Sequence, residues 1–203
     1  MHIPNYYKNE NIDEVKDFLT SNSFGILINQ SQGKITGTHI PMELDQDENG
    51  DDVLLGHISK ANPQWHSFHT GEEVLAIFNG PHTYISSSWY QKENVPTWNY
   101  IAVHVYGNIK IIQGEELLLS LKKLVDKYEK ISSHPISVET MSPTTLKQIE
   151  GIVGFSIKIH EIQAAYKLSQ NRNDVDYHNI KDTLENSGDM QAKTVAQNMN
   201  RNL

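Results

Sequence analysis

The chain contains no cysteine, and its 203 residues include only two arginines, Arg172 and Arg201. Without cysteine it cannot form a disulfide, use a thiolate nucleophile or build a cysteine-ligated zinc site. The absence agrees with a reducing cytoplasm, which is the location we expect. With a net charge of −8 and so few arginines, the sequence lacks the basic stripe typical of nucleic-acid readers. DNA binding is therefore disfavoured, although a dimer could still collect its lysines on one face.

Long apolar runs and the common catalytic motifs are missing as well. No stretch approaches the ~20 apolar residues of a membrane span, and the N-terminal residues show no apolar core of a secretory signal. We find no glycine-rich dinucleotide or phosphate loop, no H-E-x-x-H and no G-x-S-x-G. His66 and His69 lack a third ligand with suitable spacing, so we expect structural or surface histidines and no metal site. No catalytic residue can be named.

Hydrophobic periodicity supplies the fold class. Alternating or continuous apolar runs predict about six strands, connected mostly by hairpins, and helices at the periphery. The pattern favours an α+β protein built on a closed or nearly closed antiparallel barrel, because strands and helices do not alternate as in parallel sheets. One strand is predicted to end at Gly80-Pro81. Gly107-Asn108 predicts a hairpin or a bulge within the long run 97–112.

The composition becomes polar after Arg172, which predicts two parts. We expect a barrel domain over residues 1–168 and a helical extension over residues 169–203, packed on the barrel or on a dimer partner. Two short helical patterns in the extension are interrupted at Ser187-Gly188. The first carries more acids than bases, so a dimer strap or a surface hairpin is favoured over a DNA-reading helix-turn-helix.

The segment 80–100 is the most informative part of the chain. It combines Trp89 and Trp98 with three tyrosines and the consecutive serines 86–88. Aromatic planes beside hydroxyl and amide groups suit a flat ligand with polar edges, and flavin has that form. The alternative is that both tryptophans belong to the core of the barrel or of an interface.

A phosphate tail needs cationic or hydroxyl donors, and residues 57–62 offer them where a strand gives way to a helix. The same residues are also explained by a capped helix with Lys60 at the surface. His39, His57 and His104 lie within strand patterns, where each could bind a ligand or satisfy a neighbouring polar group.

Six blocks of sequence together resemble the PaiB family, and they occur in order over most of the chain. The blocks are Thr38-His39-Ile40-Pro41, the run 56–65 (GHISKANPQW), the run 80–86 (GPHTYIS), Ser88-Trp89-Tyr90, the run 96–100 (PTWNY) and the run 167–172 (KLSQNR). The resemblance implies an FMN-binding split β-barrel similar to pyridoxamine phosphate oxidase. It also implies a homodimer with FMN at the interface, and a negative transcriptional regulator of protease synthesis and sporulation.

The resemblance further implies a set of FMN-binding residues. Ser59 and Lys60 are similar to the phosphate contacts of the wider split-barrel group, although here the two are adjacent. The other expected contacts come from the strands, the serine loop and the last block; they are His39, Ile40, His57, Ser86, Ser87, Trp98, Asn99 and Arg172. Arg172 would hold an anionic group at the dimer seam, or the run 167–172 would only cap the following helix through Ser169 or Asn171.

Three functions stay open at this point. The first is an FMN-binding regulator, and the second is a flavin-dependent oxidoreductase acting on a small molecule. The third is an interaction protein that uses the barrel dimer without flavin.

Overall fold

The fold is that of a computed structural model, which describes residues 1–31, 33–69 and 71–200. The strands in these ranges are β1 (Phe24–Ser31), β2 (Lys34–Gln46), β3 (Asp52–Ser59), β4 (Glu72–Ile85), β5 (Thr97–Ile112) and β6 (Ile152–Lys167). They follow one another in the sheet as β1-β2-β3-β6-β5-β4 and close into a barrel. The predicted α+β class with an antiparallel barrel is therefore confirmed.

The helices fill the connections and the C-terminal region. They are α1 (Ile12–Ser21), α2 (Gly114–Glu129), α3 (Pro143–Leu146), α4 (Asp174–Glu185) and α5 (Met190–Asn198). Asn11 accepts a hydrogen bond from the Glu14 N–H at 3.3 Å and so caps α1. The C-terminal pair α4 and α5 matches the two helical patterns expected around Ser187-Gly188.

The chain divides into two compact units. One unit, called here the hairpin unit, comprises Leu19–Ile77 and Val105–Ile162. In it β1 pairs with β2, β2 with β3, and β3 with β6, all antiparallel. Alternate residues of these strands point inward, because successive side chains of a strand lie on opposite faces. Leu27, Met42, Leu54 and Phe155 are fully buried in this way.

The other unit, called here the helical unit, comprises Met1–Phe18, Phe78–His104 and the described residues from Gln163 on. Its helix α4 docks onto the segment 89–91. The Gln91 N–H donates to the Asp176 carboxylate at 2.8 Å, and the Asn179 amide donates to the Trp89 carbonyl at 3.2 Å. The extension therefore belongs to the same packed unit as the aromatic segment.

One predicted strand boundary is wrong, and one of the two alternatives for the run 97–112 is excluded. β4 does not end at Gly80-Pro81 but continues to Ile85. Gly80 is needed within the strand, since a Cβ there would lie 2.7 Å from Phe18 and 3.0 Å from Ile101. The run 97–112 is one continuous strand and not a hairpin. Gly107 allows β5 to approach the backbone of β6, because a Cβ would lie 2.4 Å from the Lys158 carbonyl oxygen.

Candidate functional site

The turn after β3 carries the predicted phosphate contacts, at the surface of the hairpin unit. Ser59 and Lys60 are both exposed. The Ser59 hydroxyl accepts a bond from the Ala61 N–H at 3.3 Å, and the Lys60 ammonium donates to the Glu150 carbonyl at 2.9 Å. Lys60 also donates its backbone N–H to Gly151 at 2.9 Å. The backbone of the turn is therefore fixed, while the hydroxyl and the ammonium remain accessible to a ligand.

The helix that follows this turn is a five-residue 3-10 helix, Pro63–Ser67. Asn62 caps it by accepting a bond from the Gln64 N–H at 3.0 Å, and Pro63 follows at the first helical position, as is common at helix starts. One turn of 3-10 helix sums few peptide dipoles. Any phosphate bound here would therefore depend on the side chains of Ser59 and Lys60 rather than on the helix terminus.

A buried polar network behind the turn was not anticipated from the sequence. The Asn62 amide donates to Thr38 at 2.9 Å, and the Thr38 hydroxyl donates to the Gln64 side chain. Gln64 in turn donates to Asn29 at 2.9 Å, and Asn29 donates to Ser67 at 2.6 Å. Buried polar groups that are fully bonded hold one geometry. The network therefore holds the turn against β1 and β2. In the sequence, the polar Gln64 between Pro63 and Trp65 gives only a weak indication of such a network.

His39 and Ile40 occupy opposite faces of β2. His39 is exposed, whereas Ile40 is buried and pairs with Gly25. Because neighbouring residues alternate across a strand, a ligand on the outer face meets His39 and not the side chain of Ile40. The His39 ring lies stacked against Phe24 with centroids 6.4 Å apart, and Phe24 itself is exposed. This exposed pair adds Phe24 to the candidate surface.

His57 lies on β3 opposite Gly154 and is half-buried. Burial lowers the pKa of its imidazole below the ordinary value. A neutral imidazole has one donor and one acceptor nitrogen, so His57 suits hydrogen bonding to an uncharged ligand edge.

An exposed aromatic group lies in the helical unit. The Trp98 ring is 6.0 Å from His82 and 6.1 Å from Tyr84, centroid to centroid. Half of the Trp98 surface is open, at 51% exposure. Trp98 therefore does not belong to the core of this chain, and its open face can meet a planar ligand or another chain.

Ser86 and Ser87 form the start of a 3-10 helix, Ser87–Trp89, in the same unit. Ser86 caps the helix by accepting a bond from the Ser88 N–H at 3.2 Å, and its hydroxyl also lies 2.8 Å from that of Ser88. Both serines are half-buried. The serine loop is thus locally ordered by its own hydroxyl groups.

Asn99 and Arg172 are bound within the helical unit. Asn99 is fully buried, and its amide nitrogen donates to the Ser169 hydroxyl at 3.0 Å. Arg172 donates to the Tyr90 hydroxyl at 3.1 Å, and its guanidinium carbon lies 4.4 Å from the centre of that ring. The run 167–172 does not cap α4, since the cap is Asn173, which accepts from the Asp176 N–H at 2.9 Å.

The predicted residues therefore form one set in each unit. His39, Ile40, His57, Ser59 and Lys60 belong to the hairpin unit, and Ser86, Ser87, Trp98, Asn99 and Arg172 belong to the helical unit. The donors suit a flavin phosphate and the exposed aromatic rings suit its planar ring system, so the residues fit FMN. Across residues 1–31, 33–69 and 71–200, no three His, Asp or Glu side chains are grouped to hold a metal ion. No helix in this part of the chain is long and apolar enough to cross a membrane.

Comparison with known proteins decides the family. A family model described as "Putative FMN-binding domain" matches residues 1–161. The chain is 46% identical over 200 residues to "Protease synthase and sporulation protein PAI 2" of Bacillus subtilis, covering 98% of this chain and 96% of that protein. The chain belongs to the PaiB family. FMN is its cofactor, and when bound it supplies a redox-active ring system.

Two solved structures with a similar fold are named as flavin-binding proteins. The flavocytochrome Anf3 from Azotobacter vinelandii matches with a TM-score of 0.64 and 18% identity, covering 87% of this chain and 78% of that chain. An FAD- and heme-binding protein from Mycobacterium smegmatis matches with a TM-score of 0.62 and 13% identity, covering 79% and 73%. At these identities the likeness concerns the fold alone.

Proposed function

We propose that this PaiB-family protein is a negative regulator of transcription that acts as an FMN-binding homodimer in the cytoplasm. The observation that carries the proposal is the 46% identity over nearly the whole length of both chains to a protein named for protease synthesis and sporulation. Identity over the full length includes the C-terminal helices as well as the barrel. The regulatory part and the flavin-binding part would therefore both be retained.

The charge of the helical extension supports indirect control of transcription. Helix α4 carries Asp174, Asp176, Asp182 and Glu185 against one lysine, Lys181. Asp176 is buried and occupied with the Gln91 N–H, so α4 is docked and not free to enter a groove. The phosphates of DNA would be repelled by such a helix. We therefore expect regulation through a protein or metabolite partner.

In this proposal each unit has its own expected FMN contacts. Ser59 and Lys60 would hold the flavin phosphate, while His39 and His57 would border the ring from the hairpin unit. The remaining contacts would come from Ile40, Ser86, Ser87, Trp98, Asn99 and Arg172. For Ile40 and Asn99, which are buried, the contribution would be to position the strands that carry exposed neighbours.

The phosphate assignment is tested by comparing two flavins. Lys60→Ala should weaken FMN binding by about tenfold or more, because a charge-assisted hydrogen bond to the phosphate is lost. Riboflavin, which lacks the phosphate, should bind wild type and variant equally. Lys34→Ala, at another exposed lysine of the hairpin unit, is the matched control. Flavin fluorescence quenching measures each affinity, and equal losses for FMN and riboflavin would remove Lys60 from the phosphate site.

The regulatory role is tested by complementation. Expression of this chain in Bacillus subtilis lacking the PAI 2 protein should restore control of extracellular protease activity, measured on casein. Lys60→Ala should restore it less well if flavin binding is required. If the chain does not restore control, while the purified protein passes electrons from NAD(P)H to bound FMN, the alternative of a flavin-dependent oxidoreductase takes precedence.

A further inference from the structure

Two cations lie beside tyrosine rings in the helical unit, and one of them, Arg172, is already a proposed FMN contact. This group, called here the tyrosine–cation cluster, consists of Tyr7, Tyr90, Lys167 and Arg172. Lys167 ends β6, and its ammonium lies 5.8 Å from the centre of the Tyr7 ring. Arg172 lies over Tyr90 at 4.4 Å. The cluster is therefore assembled from the N-terminal segment, the aromatic segment and the run 167–172.

The two cations lack the acidic partners that other lysines have. In the described residues, ion pairs with Asp or Glu are formed by Lys8, Lys110, Lys122, Lys123, Lys127, Lys158 and Lys181. Lys167 and Arg172 are half-buried, yet neither has a carboxylate within 4.0 Å among those residues. The chain has 25 acidic residues against 17 basic ones, so acids are not scarce. The cluster is positively charged despite an acidic composition.

The surroundings of Lys167 act against its positive charge. Burial lowers the pKa of Lys167, and the charge of Arg172 lowers it further. Burial raises the pKa of the Tyr7 phenol, against the opposing effect of Arg172, so Tyr7 stays a protonated donor. Two like charges held close together in a partly buried position cost free energy. A bound anion would offset that cost.

The donors of the cluster are only partly used. Arg172 uses one guanidinium N–H for Tyr90 at 3.1 Å, and Lys167 uses one ammonium N–H for Thr97 at 2.6 Å. Both groups have further N–H donors. A planar guanidinium and an ammonium beside phenol hydroxyls match the oxygens of a phosphate group, since phosphate accepts several charge-assisted bonds at once.

We propose that the tyrosine–cation cluster is a phosphate-binding site. The ligand is a phosphate-bearing small molecule distinct from the flavin whose phosphate is proposed to lie at Ser59 and Lys60, and assignment of the site to the phosphate of FMN is an outcome of the second experiment below. Thr97 and Tyr90 act as positioning residues, because each holds one cation by a hydrogen bond.

The first experiment uses inorganic phosphate and needs no flavin. Flavin-free protein is titrated with phosphate by calorimetry in a chloride buffer, and saturable binding of about one phosphate per chain is expected. Arg172→Gln and Lys167→Gln should each weaken binding about tenfold or more, as expected for a charge-assisted bond. Lys181→Gln is the matched control, because Lys181 is a half-buried lysine of the same unit that pairs with Glu185.

Circular dichroism checks whether removal of a cation disturbs folding. If it does, tyrosine variants, which keep both cations, still test the site. Tyr7→Phe removes a single hydroxyl and should weaken phosphate binding about fivefold, the value of one neutral hydrogen bond. The neighbouring Tyr6 is 73% exposed, so Tyr6→Phe should have no effect.

The second experiment identifies the source of the phosphate. If Arg172→Gln weakens FMN binding but not riboflavin binding, the site holds the phosphate of the flavin. If both flavins bind this variant as they bind wild type, and inorganic phosphate still binds the FMN-loaded wild type, the site serves a separate ligand. Absence of phosphate binding to wild type, together with an unchanged FMN-to-riboflavin ratio in both cation variants, overturns the proposal. If only FMN binding fails, the proposed function is contradicted. The result of the phosphate titration is unaffected, because that titration uses flavin-free protein.

Discussion

At the scale of single residues, Tyr166 contains a buried hydroxyl with no hydrogen-bond partner among the described residues. Burial raises the pKa of this phenol, and the charge of Glu14 raises it further. Because the unbonded hydroxyl carries its desolvation cost without a compensating bond, Tyr166→Phe should leave the free energy of unfolding unchanged or raise it by up to about 1 kcal/mol.

Tyr90 is the control, since it is similarly buried, at 9% against 6% exposure, but accepts a bond from Arg172. Tyr90→Phe should lower the free energy of unfolding by about 1 kcal/mol. Urea unfolding of both variants measures the difference, and a loss at Tyr166 equal to that at Tyr90 would mean that the Tyr166 hydroxyl is bonded.

The burial of His57 predicts how stability depends on pH. Its pKa is lowered in the folded chain from the ordinary 6.5. Above pH 6.5 the residue is neutral in both states and adds no pH dependence. As the pH falls below that value the unfolded chain takes up the proton first, so stability decreases until the folded pKa is passed. His57→Gln should make the urea midpoint fall less between about pH 7 and pH 5.

The exposed His39 on the adjacent strand is the site of the matched control substitution, His39→Gln. Part of the decrease in the urea midpoint at low pH should remain in the His57→Gln variant. His104 also has a lowered pKa, through burial and through the charge of the N-terminus. A pH profile that His57→Gln does not change would place the titration elsewhere.

At the scale of secondary structure elements, the contact of β5 with β6 depends on Gly107. An added Cβ would lie 2.4 Å from the Lys158 carbonyl oxygen and 2.6 Å from Ile157. Backbone cannot rotate away as a side chain can, so Gly107→Ala should destabilise the protein by about 2 to 3 kcal/mol. Gly37→Ala on β2 is the control, because its nearest atom lies at 3.5 Å and the change should be close to neutral. Equal thermal midpoints for the two variants would show that the strands separate without cost.

Periodicity predicted the elements better than their ends. The apolar alternation from Val153 to Ile159 identified β6, but not its continuation to Lys167, where Ala164 and Ala165 are both buried and break the alternation. Gly80 was interpreted as the end of a strand, and Gly107 as part of a hairpin or a bulge. Both instead allow another element to approach closely, which depends on long-range packing that a local pattern does not contain.

The sequence predicts those features of the candidate site that depend on residues next to each other in the chain. The cap at Asn62 followed from the Asn-Pro pair alone. The burial of Asn99 against Ser169 did not, because the two are 70 positions apart in the sequence. Ser169 adopts a positive φ of 65° to make this contact, which no sequence pattern indicated. Tyr7 and Lys167 were likewise joined only by the fold.

At the scale of the whole molecule, the proposed homodimer gives the exposed Trp98 a role. Trp98 and Tyr84 are 51% and 47% exposed, more than rings of a stable core would be. If their open faces lie in the dimer interface, light scattering should give a mass of about twice 23.1 kDa for wild type. Trp98→Ser should shift the mass toward 23.1 kDa, because hot spots of interfaces are often exposed aromatic residues of the free chain. Tyr6→Ser, at another exposed aromatic residue of the helical unit, should remain dimeric.

The same dimer makes FMN affinity depend on protein concentration. If each site is completed by the partner chain, dilution below the dimer dissociation constant should weaken FMN binding, and FMN in excess should hold the dimer together by mass action. The Trp98→Ser variant should then reach the FMN affinity of wild type only at a higher protein concentration. A chain that binds FMN with one unchanged affinity, while light scattering shows 23.1 kDa, would contain its whole site in one copy. In that case Trp98 would serve the flavin ring directly.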